Sequence, residues 1–238
     1  VGLNHLAWEL ENEVDLVNAF KQLKADAIET DITVDHQVAH SVYMFDPDGN
    51  YNEFYCDTVH NWREVLHGKM DLITREWDPL TADPFVEGRY ERSPELHVVD
   101  TAPLTPQRVT HAVIQTPNVG RLVQFYSRIA GLRVTADECG VAYLGGSHDG
   151  YSHNLVLVPS AVASYGHAAF ELADEDALQR AVATLEATGN VVSETVELPW
   201  KRSLFLRDPD GLSSEWYVRR NAPRDLAARG EMSLLLAA

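Results

Sequence analysis

The chain has 238 residues, of which 45% are hydrophobic and 23% are charged, and its formal net charge is -17. This balance is typical of a folded protein with one large or two small domains. The negative charge argues against binding to nucleic-acid phosphates or anionic lipid headgroups, because both attract basic surfaces. Cys56 and Cys139 have no metal-binding or redox spacing, and no apolar run approaches the roughly 18 residues of a membrane span. We therefore expect a cytoplasmic protein with reduced thiols and with neither nucleic-acid nor membrane partners.

An internal repeat is the most informative feature of the sequence. Several features recur at one constant offset of 162 positions (167 minus 5). The matched pairs are 4–10 with 166–172, His5 with His167, 46–49 (Asp-Pro-Asp-Gly) with 208–211, and Glu53 with Glu215. A single register held over about fifty residues indicates a structural repeat.

The sequence of the first copy predicts an opening strand, a helix and, after it, two strands joined by a hairpin. His5 lies on the opening strand, and apolar residues at helical spacing predict a helix over 14–25. The segments 41–45 and 51–55 have the composition of strands, and the turn between them predicts a hairpin. The unit is therefore expected to be βαβββ.

The segment 58–107 separates this copy from the rest of the repeat. We predict a helix at 60–70, followed by a linker rich in Pro, Asp and Glu.

A more divergent copy follows the linker. It begins with a strand at 109–115 and continues with a helix at 118–130, which Asn118 caps and Gly131 closes. Its last strand is predicted at 153–158. The third copy, at 164–220, repeats the first.

Two neighbouring units can close on one another and bury their concave faces, so 108–222 is expected to form a complete C-terminal domain. The unit at 1–57 is expected to be the second half of an N-terminal domain whose first half lies upstream; pairing with another chain is the alternative. We expect the tail, 223–238, to dock onto a neighbouring domain or subunit, and the protein to form a homo-oligomer.

The order of these motifs resembles the vicinal oxygen chelate superfamily, which includes glyoxalases, bleomycin resistance proteins and type I extradiol dioxygenases. In that superfamily the opening strand of a unit carries a histidine ligand, and the strand after the hairpin carries a glutamate ligand. The resemblance covers nearly all of the chain apart from the linker and tail. It implies an α+β fold of βαβββ units paired into half-open barrels, and it implies a metal bound by His111, His167 and Glu215.

The ligand types agree with that implication. Two neutral imidazoles and one carboxylate leave adjacent coordination positions open, which suits Fe(II) and also Mn(II) and allows substrate and dioxygen to bind one ion. The alternative is that the histidines are ordinary core residues and the glutamates face solvent. The His-to-Glu spacing of 48 in both copies (53 minus 5, 215 minus 167) favours ligands.

The two copies differ at the positions where the resemblance places catalytic groups. The first copy has Tyr43 ten residues before Glu53, with His36 upstream, as extradiol dioxygenases have a tyrosine and an acid/base histidine. The copy at 164–220 has Phe205 and Leu198 there. This contrast favours a catalytic site in the first copy.

Two placements of catalysis therefore remain open. In the first, His5 and Glu53 bind the metal with a histidine from another unit, and Tyr43 and His36 act on the substrate. In the second, the C-terminal ligands hold the catalytic metal and His153 supplies the acid/base imidazole.

The resemblance implies a metal-dependent extradiol dioxygenase that cleaves a catechol-like aromatic with dioxygen. One alternative is a glyoxalase-like lyase, isomerase or transferase that uses the metal without dioxygen. Another is a ligand-sequestering protein of the bleomycin resistance type.

Overall fold

The computed structural model describes residues 2–66, 74–91, 95, 99, 102, 104–147, 153–187, 192–198 and 200–220. The chain divides into two compact units, Leu3–Glu95 and Leu96–Ala238, the latter together with Val1–Gly2. The predicted tail at 223–238 lies outside the described residues. No described helix is long and apolar enough to cross a membrane.

The unit Leu3–Glu95 contains one βαβββ motif and a short extension. Its sheet has the strand order β1-β4-β3-β2-β5. The elements are β1 (Leu6–Glu9), α1 (Glu13–Ala25), β2 (Thr33–Asp35), β3 (Ala39–Phe45), β4 (Tyr51–Asp57), α2 (Trp62–Leu66) and β5 (Arg75–Glu76).

The helix α1 forms where the apolar spacing predicts it. The Asn12 side chain caps it by accepting a hydrogen bond from the Asp15 backbone N–H at 2.9 Å, which satisfies one of the free donors of the first turn. Leu16, Phe20 and Leu23 are all buried. The apolar side of the helix thus faces the core of this unit.

The Asp-Pro-Asp-Gly turn joins β3 to β4 through local hydrogen bonds. Asp46 Oδ1 accepts from the backbone N–H groups of Asp48 and Asn50, both at 2.9 Å. Gly49 has φ 87°, a left-handed conformation that glycine adopts without strain. The turn fixes the register in which Tyr43 lies opposite Glu53.

The second unit contains two βαβββ motifs in one sheet, with the strand order β11-β12-β13-β10-β6-β9-β8-β7. The first motif comprises β6 (Pro106–Thr116), α3 (Val119–Arg128), β7 (Arg133–Glu138), β8 (Val141–Gly145) and β9 (Leu155–Pro159). The second comprises β10 (Ser164–Leu172), α4 (Glu175–Ala187), β11 (Val192–Leu198), β12 (Lys201–Arg207) and β13 (Ser213–Arg219).

All three motifs share one strand order, in which the opening strand pairs in parallel with the last strand. Ala7 lies beside Glu53 in the first motif, and Ala169 lies beside Glu215 in the last, so both partners keep the 162-residue offset. The predicted α+β fold of repeated βαβββ units is confirmed.

The two ends of the eight-stranded sheet approach each other. Trp200, between β11 and β12 at one end, is 2% exposed and packs with residues of β8 and β9 near the other end. Its partners include Tyr143, Val156 and Val158. The sheet therefore closes around an interior, as expected of a half-open barrel.

Some local predictions need correction or are described only in part. The opening strand of the first copy begins at Leu6, so His5 directly precedes it. The helix predicted at 60–70 is described only at Trp62–Leu66, and 67–73 lie outside the described residues. The linker contains a strand, β5, whose two residues pair with β2; two exposed residues give no periodic pattern to detect. The strand predicted at 153–158 begins at Leu155, so His153 precedes it.

Candidate metal centre

Three predicted ligands converge inside the second unit. Ligand atoms of His111, His167 and Glu215 all lie within 4.8 Å of one another, and all three residues are buried. Among the described residues, this is the one group of three His, Cys, Asp or Glu side chains close enough to hold a metal ion.

Adjacent strands explain this convergence. Ala169 on β10 pairs with His111 on β6 to one side and with Glu215 on β13 to the other. His167 lies two residues before Ala169, so its side chain points to the same face of the sheet. Ala169 itself is fully buried.

The two oxygens of Glu215 have different surroundings. Oε2 faces the imidazoles, 3.5 Å from His111 Nε2 and 3.6 Å from His167 Nε2. Oε1 accepts a hydrogen bond from Ser203 Oγ at 2.6 Å and lies 2.5 Å from Lys201 Nζ. Oε2 is therefore the oxygen available to an ion.

Charge complementarity keeps Glu215 ionised. Burial by itself would raise the pKa of this carboxyl, but the Lys201 ammonium and the hydrogen bonds with His111 and His167 outweigh burial and hold the pKa well below its usual value. Burial lowers the pKa of His111 to about 4 despite the nearby carboxylate. The site thus offers a carboxylate and a neutral imidazole, the protonation states that metal binding requires.

His153 lies beside the three ligands. Its ring centroid is 4.6 Å from that of His111 and 5.4 Å from that of Tyr143. Burial, and then the positive charge that His111 and Lys201 can carry, lower the pKa of His153 well below its ordinary value. Its imidazole is therefore neutral near pH 7.

The residues predicted for the first copy also lie together. His5 Nε2 is 3.1 Å from Glu53 Oε2, and Tyr43 Oη donates to Glu53 Oε1 at 2.6 Å. His36 Nε2 lies 3.1 Å from Tyr43 Oη. Burial and the hydrogen bond to Glu53 raise the pKa of Tyr43, so this phenol is protonated at neutral pH.

The two sites differ in burial and in the number of converging ligands. The His5 and Glu53 side chains are 33% and 13% exposed, whereas those of His111 and Glu215 are 7% and 1% exposed. Within the described part of the chain, His5 and Glu53 have no third ligand placed as His111 is in the second unit.

Known proteins share this architecture. Residues 108–215 match the model of the Glyoxalase/Bleomycin resistance protein/Dioxygenase superfamily. This segment is a domain of that superfamily. The superfamily domain carries all three converging ligands and His153.

Two curated dioxygenases are similar to the chain in sequence. Biphenyl-2,3-diol 1,2-dioxygenase 3 of Rhodococcus globerulus is 35% identical over 86 residues, which cover 34% of this chain and 45% of that protein. Catechol-2,3-dioxygenase of Bacillus subtilis (strain 168) is 26% identical over 160 residues, covering 66% of this chain and 52% of that protein. The chain thus spans about half the length of these relatives.

Solved structures share the fold at low sequence identity. The 2,3-dioxygenase LapB from Pseudomonas sp. KL28 has a TM-score of 0.65 at 15% identity, covering 93% of this chain and 73% of that one. The Mn(II)-bound glyoxalase from Novosphingobium aromaticivorans has a TM-score of 0.63 at 14% identity, covering 91% and 63%. These likenesses establish the vicinal oxygen chelate fold.

The sequence predicted the three residues that converge in the superfamily domain, but two groups that contact Glu215 were not predicted from it. Ser203 and Lys201 both reach Oε1 of this carboxylate. Ser203 could have been found, because Ser41 precedes it by the same 162 positions. Lys201 has Ala39 as its counterpart, so the repeat gave no signal for it.

Proposed function

We propose that this protein is a metal-dependent extradiol-type dioxygenase that cleaves a catechol-like aromatic, with its catalytic centre in the superfamily domain. The convergence of His111, His167 and Glu215 on one buried point carries this proposal. The names of the catechol and biphenyl-diol dioxygenases to which the chain is similar support the substrate class.

The side chains present fit a divalent ion. Two imidazoles and one carboxylate oxygen form a three-ligand set that leaves coordination positions open, which suits Fe(II) and also Mn(II). When bound, the ion would hold the two substrate oxygens and dioxygen next to each other. Small-molecule substrate and dioxygen are thus the proposed partners, together with a second copy of the chain in a homo-oligomer.

His153 is the proposed proton acceptor. Ring cleavage requires that a catechol hydroxyl lose its proton, and a neutral imidazole has a free nitrogen lone pair that can receive it. The shift that burial causes keeps His153 neutral, and its ring lies against the ligand His111. The protein thus supplies a base within the buried site.

The first unit is the competing location of catalysis. Contacts of hydrogen-bond length link His5 to Glu53, Glu53 to Tyr43, and Tyr43 to His36. In the sequence, the contrast between Tyr43 and Phe205 favoured this location. We propose the second unit instead, because three ligands converge there.

A glyoxalase-like reaction without dioxygen is the second candidate. The observation that favours it is Phe205, whose ring packs edge-on against His167 at 5.2 Å and which places no hydroxyl beside the metal site. A sequestering protein is a poorer match, because it has no need of three converging ligands.

Oxygen consumption distinguishes these functions. The full chain is purified without metal, loaded anaerobically with Fe(II) or Mn(II), and mixed with catechol in aerated buffer. A dioxygenase consumes one dioxygen for each ring that is opened, because both oxygen atoms enter the product. Catechol turnover without oxygen uptake would favour the second candidate, and the absence of turnover on catechols would refute the proposal.

Two substitutions decide between the locations. We expect His153→Ala to lower turnover by roughly 10²-fold or more, the usual scale for a positioned acid/base group, while Tyr43→Phe leaves turnover within a few fold. Circular dichroism and metal content would be compared for both variants. The opposite ranking would place catalysis in the first unit.

A further inference from the structure

The carboxylates of Glu53 and Glu215 are held in nearly the same way in the two matched repeats. In each, Oε1 accepts a hydrogen bond from a serine, Ser41 at 2.7 Å and Ser203 at 2.6 Å. In each, Oε2 faces the matched histidine of the repeat, at 3.1 Å from His5 and 3.6 Å from His167. One oxygen is thus fixed by the protein and the other faces the ligand histidine.

The second donor to Oε1 differs between the repeats. In the first repeat it is the Tyr43 hydroxyl, at 2.6 Å. In the last repeat Phe205 takes the tyrosine position, and the donor is Lys201 Nζ, at 2.5 Å. Lys201 lies four residues before Phe205 on β12, so both side chains lie on the same face of the strand. A charged ammonium therefore replaces a neutral hydroxyl.

Lys201 and Glu215 form a buried ion pair. The Lys201 side chain is 11% exposed and that of Glu215 is 1% exposed. The ammonium also lies 4.9 Å from the centroid of the Tyr217 ring, an arrangement in which the ring face attracts a cation. Lys201 thus places a fixed positive charge beside the three metal ligands.

We propose that Lys201 is a positioning residue of the metal centre that holds Glu215 Oε1 in place of the tyrosine hydroxyl, and that its charge weakens binding of the metal ion. The inference rests on the proposed metal site and is independent of the reaction performed there. Holding Oε1 leaves Oε2 as the single metal-facing oxygen. An ion at Oε2 and the ammonium at Oε1 would contact the same carboxylate, and two cations so close together repel each other.

Because Lys201 has two roles, its replacement should lower the stability of the metal-free protein and yet raise its affinity for Mn(II). Lys201→Met removes the partner of a buried carboxylate, so the metal-free protein should be less stable, with a Tm lower by at least about 5 °C. The same change removes a cation from the site, so Mn(II) should bind at least about tenfold more tightly. A residue with only a structural role would lower both the Tm and the Mn(II) affinity.

The experiment measures Mn(II) affinity by isothermal titration calorimetry and metal-free Tm by calorimetry, using the full chain. Lys21→Met is the matched control, since exposed Lys21 lies in α1 of the other unit, and it should change neither quantity appreciably. The double variant Lys201→Ala/Phe205→Tyr restores the hydroxyl arrangement of the first repeat. It should recover part of the lost stability and keep the tighter binding of Mn(II).

The inference would be overturned if Lys201→Met bound Mn(II) as tightly as the wild type or more weakly. The proposed metal site would still stand in that case, provided that the wild type binds Mn(II). If Lys201→Met does not fold, the Mn(II) affinity of the double variant tests the inference in its place. A wild-type chain that binds no divalent metal would overturn the proposed function together with this inference.

Discussion

At the scale of single residues, burial sets the protonation of the candidate metal centre. His111 is 7% exposed, and burial lowers its pKa from 6.5 to about 4. Burial shifts the pKa of His153 in the same direction. These shifts keep both imidazoles neutral, as metal binding at His111 requires, but they also make the fold sensitive to acid.

The acid sensitivity has a definite sign. Between about pH 6.5 and pH 4, unfolded chains bind a proton at position 111 that the folded protein does not bind, so falling pH favours unfolding. We expect the unfolding free energy of the metal-free protein to fall by on the order of 1–2 kcal/mol between pH 7 and pH 5 because of His111. Urea denaturation in the presence of a chelator would measure this loss.

His111→Asn provides the comparison for that measurement, because asparagine does not titrate in this range. The variant is expected to lose less stability than the wild type between pH 7 and pH 5. Equal losses in the two proteins would show that His111 does not have the lowered pKa.

At the scale of elements, the geometry of the candidate metal centre depends on how closely β10 approaches β6. Gly166 on β10 stands at a register shift in this pairing. A Cβ atom at Gly166 would lie 3.1 Å from both Cγ1 and the backbone oxygen of Val113. His167 follows Gly166 directly, so displacement of this strand would move a ligand.

We expect Gly166→Ala to lower the unfolding free energy by about 1–3 kcal/mol, as overpacking of a filled core does, and to weaken metal binding. Gly120→Ala is the matched control, because its added Cβ in helix α3 would meet only Asn118 Oδ1, at 3.7 Å. That change should be neutral or stabilising by up to about 1 kcal/mol. Chemical denaturation of both variants checks the prediction, and equal effects would contradict it.

At the scale of the whole molecule, the repeat made the fold predictable from sequence. His5 and His167, like Glu53 and Glu215, have the same offset because each pair occupies equivalent positions in equivalent motifs. Helix α1 followed from apolar spacing, and α3 followed from the residues that cap and close it. The two-residue strand β5 could not be predicted, since its pairing with β2 depends on contacts distant in sequence.

The candidate site was predictable to a lesser degree. The resemblance supplied His111, His167 and Glu215. It left open whether His153, or Tyr43 together with His36, acts on the substrate. Lys201 was missed because its contact with Glu215 depends on the reach of a long side chain between neighbouring strands. Register alone pairs Lys201 with Arg219, so a sequence pattern does not reveal which carboxylate the ammonium reaches.

The central claim is that the superfamily domain holds one divalent ion through His111, His167 and Glu215. Its most direct test is the metal content of the full chain after loading with Mn(II) and removal of free ion, compared among wild type, Glu215→Gln and Glu53→Gln. We predict about one ion per chain in the wild type and in Glu53→Gln, and at least about tenfold weaker binding in Glu215→Gln. Metal retained by Glu215→Gln but lost from Glu53→Gln would contradict this claim and place the metal centre in the first unit.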